Sequence, residues 1–213
     1  VWAQAGGGAY QLLIVRGPSF LTAPFAAAFP VGFVGATAVT LVRSGEVLPA
    51  STPTPTPTNA PTTFEEAVAA QALQFTNQER LAHGLTALSA HSLLHASATT
   101  YAALLVQVDP YLADVAGAHT HDGQPWDRAT RAGYVWSTLA ENVAVASAGS
   151  APEVGALAKL IVDGWMGSPP HRANILTPGF VDTSIGCVTG KPASAPSGLD
   201  FAVVCVAAYG TLQ

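Results

Sequence analysis

The residues able to do chemistry in this chain gather in a few short stretches. Residues 77–85 read NQERLAHGL, residues 118–134 read AHTHDGQPWDRATRAGY, residues 140–144 read AENVA and residues 165–176 read WMGSPPHRANIL. Imidazoles and carboxylates bind divalent cations and move protons near neutral pH, so the last three stretches are where a reaction would be sought. The sequence lacks a Ser nucleophile elbow, a Gly-rich phosphate loop, a His-Glu-x-x-His pair and a Cys-His pair suited to catalysis. Covalent catalysis therefore has no nucleophile, and hydrolysis would need a metal-bound water.

The remaining polar residues have plainer readings. His121 and Asp122 lie in a His-x-His-Asp run that could add ligands but reads more readily as a solvated turn. His91 and His95, four apart on a helix, read as a surface or partly buried pair rather than a metal site. His83 falls beside a helix C-terminus, where a cation suits the dipole. Arg172 and Asn174 read as buried polar groups fixing a turn, and Trp165 and Met166 as core packing.

The elements that would position these stretches are legible from periodicity and capping. Thr63 and Glu66 form a capping box, and Phe64, Val68, Ala72 and Phe75 repeat at helical spacing until Gly84. Ser89 is expected to cap a second helix, running to about Val108, that turns Leu94, Ala98, Tyr101 and Leu105 inward. A third begins near Pro125 and stops at Gly133, and a fourth spans residues 152–166. Residues 180–188 and 201–209 read as strands joined by a Gly-, Pro- and Ser-rich loop. Helices first and strands later make an α+β or layered α/β/α arrangement.

In order and spacing the four stretches resemble the CAP superfamily (SCP/TAPS; the cysteine-rich secretory protein, antigen 5 and pathogenesis-related type), particularly its bacterial branch, over about residues 70–210. The run from Trp165 to Leu176 is the most specific signal. The resemblance implies a three-layer α/β/α sandwich with a central cleft of two His and acidic side chains, which in some members holds a divalent cation. Carried over by motif, His119 and His171 are the cleft histidines and Glu141 the acid. These three would supply ligands to Zn²⁺ and leave a fourth position open. Two positions depart from the pattern: Ala140 replaces the common Gly, and Ser168 stands where relatives with a full tetrad carry a second Glu. Asp163 or Glu153 would replace that carboxylate only if the helix phase brought either to the cleft. The resemblance also implies non-enzymatic work, the binding of a lipid, glycan or protein.

The Thr-Pro run of residues 51–63, STPTPTPTNAPTT, is a stiff extended spacer and a plausible site of O-glycosylation. It separates a CAP-like domain over residues 64–213 from an apolar, β-prone segment over residues 1–50, in which residues 10–16 and 37–43 read as strands without a sheet of their own. That segment is expected to need a partner and to drive self-association. Phe20 to Val42 is an uncharged stretch of 23 residues, but Pro24, Pro30, Gly32 and Gly35 argue against a membrane span.

Only 10% of residues are charged, against roughly 25% in a typical domain, so much of the surface is expected to be covered. Residues 64–213 hold 6 Lys and Arg against 12 Asp and Glu, a net of −6 that repels phosphate backbones and excludes nucleic-acid binding by charge. Cys187 and Cys205 read either as one disulfide, worth about 3 kcal/mol in an exported chain, or as two buried thiols. The chain opens at Val1 without Met or an intact signal peptide, which reads as a processed form of an exported, cell-surface protein. A binding or structural module is the leading expectation, ahead of a metal-dependent hydrolase and a membrane-anchored sensor.

Overall fold

The computed structural model describes residues 2–5, 8–14, 39–42, 63–108, 121–190 and 200–213. Helix α1 (Phe64–Ala82) starts on the expected capping box: Thr63 Oγ1 accepts from the Glu66 amide at 3.1 Å, and Glu66 Oε2 accepts from the Thr63 amide at 3.3 Å. It ends where Gly84 takes φ +74°, the left-handed conformation that favours glycine after a helix. Helix α2 (Ser92–Gln107) starts two residues later than a Ser89 cap would place it. The Ser89 amide donates to the Val181 carbonyl and the His91 amide to the Thr183 carbonyl. Residues 89–90 are thereby held as a short strand, β4 (Ser89–Ala90), and His91 becomes the cap, its Nδ1 accepting from the Leu93 amide. The inward face of α2 is the expected one, with Leu94, Ala98, Tyr101 and Leu105 buried.

Helices α3 (Pro125–Arg131) and α4 (Val154–Gly167) lie where the Pro and Gly signals put them. A further short helix, α5 (Pro169–Ile175), begins on the Pro169-Pro170 pair, which suits a first turn because those amides need no intrahelical partner. Strands β6 (Asp182–Thr189) and β7 (Phe201–Leu212) match the expected C-terminal pair. Three N-terminal strands, β1 (Trp2–Ala5), β2 (Gly8–Ile14) and β3 (Val39–Val42), and the long β5 (Trp136–Ala148) complete a mixed sheet ordered β1-β2-β5-β7-β6-β4, with β3 also on β5.

The N-terminal strands therefore do have a sheet. β2 and β3 run one after the other along the same edge of β5, Ile14 opposite Ala144 and Val39 opposite Glu141, both antiparallel. An uncovered β5 edge would present a row of unpaired amides and carbonyls, and these strands pair it.

Period-2 alternation divides the sheet between two helical layers. Ala140, Ala144 and Ala146 of β5, with Val203, Cys205, Ala207 and Tyr209 of β7, pack under α1, α4 and α5. Val143, Val145, Val204 and Val206 pack on α2, and Leu139 and Ala208 pack with the start of α2 and with α3. This is the α/β/α sandwich. Cys187 and Cys205 face each other across β6 and β7 and form a buried disulfide, which resolves the choice between bridge and free thiols.

Helix α2 meets the sheet closely at Gly186, where a Cβ would stand 2.3 Å from the Thr99 backbone nitrogen. Backbone cannot yield as a flexible side chain can, so Gly186→Ala is expected to cost about 1–3 kcal/mol. Thermal unfolding followed by circular dichroism should show a midpoint lower by several degrees, and an unchanged midpoint would contradict this packing.

Candidate functional site

The motif AEN lies in the middle of β5, and alternation sends its two polar side chains to opposite faces. Glu141, at a position facing α2 and α3, is 3% exposed. Its carboxylate accepts from Arg128 Nη2 on α3 at 2.7 and 2.8 Å. The Arg128 guanidinium also donates to the Gly123 carbonyl at 2.6 Å and lies over the Tyr101 ring, 3.4 Å from its centroid. Burial raises the Tyr101 hydroxyl far above its ordinary value, so the ring meets Arg128 as a neutral π face.

Asn142 faces the other layer. Its Nδ2 donates to the His171 carbonyl at 3.1 Å and to the Tyr209 hydroxyl at 3.3 Å, and its Oδ1 accepts from Asn174 Nδ2 at 2.9 Å. Asn174 Nδ2 also donates to the Glu141 carbonyl at 3.3 Å. Burial likewise holds the Tyr209 hydroxyl in its neutral form, well above the usual tyrosine range. The network ties α5 to β5 and so fixes His171.

His171 is fully buried, with Nδ1 2.9 Å from Ser168 Oγ. Ser168, in place of the second tetrad Glu, thus partners this imidazole through Nδ1, and a ligand role would fall to Nε2. Neither substitute carboxylate reaches the site. Asp163 is exposed and pairs with Lys159 Nζ at 2.6 Å, and Glu153 is exposed before the first turn of α4. The inward face of α4 is Leu157, Ala158, Ile161, Val162 and Trp165, which leaves both acids outside.

His119 lies outside the described residues. Among the described residues no group of three His, Cys, Asp or Glu side chains could hold a metal ion. The Glu141 carboxylate fits poorly as a ligand, because a divalent cation there would stand beside the Arg128 guanidinium. His121 is exposed, and Asp122 pairs with Arg131 at the surface of the same turn. His91 packs its ring edge-on to Tyr134 at 4.9 Å, and His95 Nδ1 lies 3.2 Å from the Ile185 carbonyl. These two histidines serve the α2 terminus and the β6 edge.

The first stretch has a supporting role that spacing alone does not reveal. Asn77 reproduces a strand-like pairing with Leu88, donating to its carbonyl at 3.0 Å and accepting from its amide at 2.8 Å. Arg80, fully buried, donates to the carbonyls of Thr86, Ile175, Thr177 and Phe180, which staples the chain after α5 to α1. Burial lowers its pKa from the ordinary guanidinium value. Arg172 is exposed rather than buried: on the short α5, residues 171, 174 and 175 face inward and residues 172 and 173 face out. Its Nη2 donates to His83 Nε2 at 3.1 Å, so His83 Nδ1 carries the proton that it gives the Glu79 carbonyl at 2.8 Å. The cation at that helix end is therefore Arg172.

With this geometry in place, the comparisons define the class. The family model described as the cysteine-rich secretory protein family, CAP, matches residues 73–208, and the chain belongs to that family. Among solved structures, an extracellular protein containing an SCP domain from Bacillus anthracis is 19% identical with TM-score 0.49, over 71% of this chain and 45% of its own. An outer surface protein from Borrelia burgdorferi is 19% identical with TM-score 0.45, over 66% of this chain and 90% of its own. This chain thus spans less than half of the Bacillus chain. No curated protein matches it.

Breaking the buried pair from one side strands a charge, so Arg128→Met is expected to cost about 3–5 kcal/mol in urea unfolding. Replacing both partners, Arg128→Met with Glu141→Met, should recover much of that loss. A double variant whose cost equals the sum of the two single ones would mean that the two groups are not coupled.

Proposed function

We propose that this is an exported, non-enzymatic CAP-domain protein that acts as a binding or structural module at the cell surface and self-associates through residues 1–50. The observation that carries the non-enzymatic reading is the pairing of Glu141 with Arg128. The hydrolase alternative needs that carboxylate as metal ligand or base, and a base already neutralised by a buried guanidinium makes a poor one. For the sensor alternative, no helix among the described residues is long and apolar enough to cross a membrane, and residues 20–38 of the uncharged stretch lie outside them.

Export is supported by the Cys187–Cys205 disulfide, since such bridges persist in oxidising compartments, and by membership of a family described as secretory. The ligand class is a lipid, glycan or protein held near His171, with a divalent cation as an accessory at most. The Thr-Pro run of residues 51–63 joins residues 1–50 to residues 64–213.

Light scattering on the full chain and on Leu12→Pro/Leu13→Pro tests the assembly. Of two adjacent strand residues one donates to the neighbouring strand, so the double proline breaks the β2 ladder whichever it is. The full chain is expected at multiples of 21.7 kDa that rise with concentration, and the variant at that single mass. Equal masses for both would contradict self-association through this segment.

A further inference from the structure

On the side of the sheet away from β5, β4 covers only the start of β6. Ser89 is opposite Asp182 and Ala90 opposite Thr183, and among the described residues no strand lies beside β6 past that point. The outward groups of β6 continue the pattern that β4 begins. The Ser89 amide donates to the Val181 carbonyl and the His91 amide to the Thr183 carbonyl. Two residues on, at the period of a strand, the Ile185 carbonyl faces the same way, and His95 Nδ1 lies 3.2 Å from it. A carbonyl only accepts, so the imidazole donates and stands where the amide of a longer β4 would stand. His95 is exposed, so a strand amide can take its place at the cost of one side-chain bond.

Two adjoining hollows flank this open edge, one of about 220 Å³ at Ile185 and one of about 270 Å³ at Cys187 and Val188. They share Glu66 and Ala69 of α1 and His95 of α2, and so form one groove along β6. Their spacing of two residues is that of side chains i and i+2 of an added strand, which fall on one face. The α1 wall is small or apolar at Ala69, Ala70 and Leu73. Glu65 and Glu66 supply its charge, and among the described residues no Lys or Arg lines either hollow.

We propose that this groove takes an extended basic peptide, which adds a strand to β6 beyond the end of β4. The peptide backbone pairs with the outward groups of Ile185 and Cys187, and two of its apolar side chains, two residues apart, enter the hollows. A flanking Lys or Arg meets Glu65 and Glu66. Main-chain bonds supply affinity without regard to sequence, whereas the hollows and the carboxylates select the sequence. The charge of the partner follows from that of the groove and from the net −6 of residues 64–213, which together repel an acidic segment. No lining residue of the groove belongs to the network around His171, so this surface goes beyond the binding proposed there and is tested separately.

Fluorescence anisotropy of labelled acetyl-Lys-Val-Thr-Val-Thr-Lys-amide measures binding to the full chain, with the same peptide carrying Glu in place of both Lys as the comparison. Amide hydrogen exchange over residues 184–189 locates it. The basic peptide is expected to bind more tightly than the acidic one and to slow the Ile185 and Cys187 amides, which exchange fast in the free chain. In Glu65→Gln/Glu66→Gln, whose cap survives because Gln also serves at that position, Kd should rise about fivefold as two exposed ion pairs are lost. No binding, equal binding of the two peptides, protection confined to other segments, or an unchanged Kd in the Gln variant would overturn the proposal. So would Ile185 and Cys187 amides that are already slow in the free chain, since residues of the chain itself would then hold the edge.

Discussion

Glu141 and Asn142 are neighbours on a strand covered on both faces, so a carboxylate and a carboxamide are buried side by side with opposite directions. Each must be satisfied within the protein, because a buried polar group without partners costs several kcal/mol and a buried charge more. The two networks that result order much of the domain. On one face, Arg128, the turn at Gly123 and the Tyr101 ring form around the carboxylate, which fixes α3 against α2. On the other, Asn174, Tyr209 and the His171 carbonyl form around the amide, which fixes α5. His171 is thus placed by a neighbour of Glu141, through a bond to its own carbonyl.

A second constraint acts from outside that strand. α5 is only two turns long and contributes few apolar side chains, so it needs polar attachments. Arg80 supplies them by gathering carbonyls on both sides of the chain reversal after α5. A guanidinium suits this because its five donors point in one plane and can serve several carbonyls at once. His171 therefore depends on a helix that begins about a hundred residues earlier in the chain.

What the sequence disclosed follows from these causes. Helices with caps and an apolar stripe were readable, as were the C-terminal strands rich in Val and Ile. β5 is not legible in the sequence, because its Ala-rich WSTLAENVAVASA run has weak strand preference and gains its place from burial on both faces. The role of Arg128 was also hidden: nothing local marks it, and its partner is on a different element. The Ser168 departure was visible, but its bond to His171 was not, since it depends on the turn between α4 and α5. The N-terminal strands were legible as strands, and their sheet was not, since a long-range pairing leaves no mark in local spacing.

If Glu141 is the counter-ion of Arg128, this CAP domain keeps the family's framework while its acid serves architecture. Zinc titration by calorimetry, on the full chain and on Glu141→Gln with its fold checked by circular dichroism, tests that claim most directly. The account predicts the same zinc response, weak or stronger, with and without the carboxylate. Tight one-to-one zinc binding by the full chain that is lost in a folded Glu141→Gln variant would contradict it.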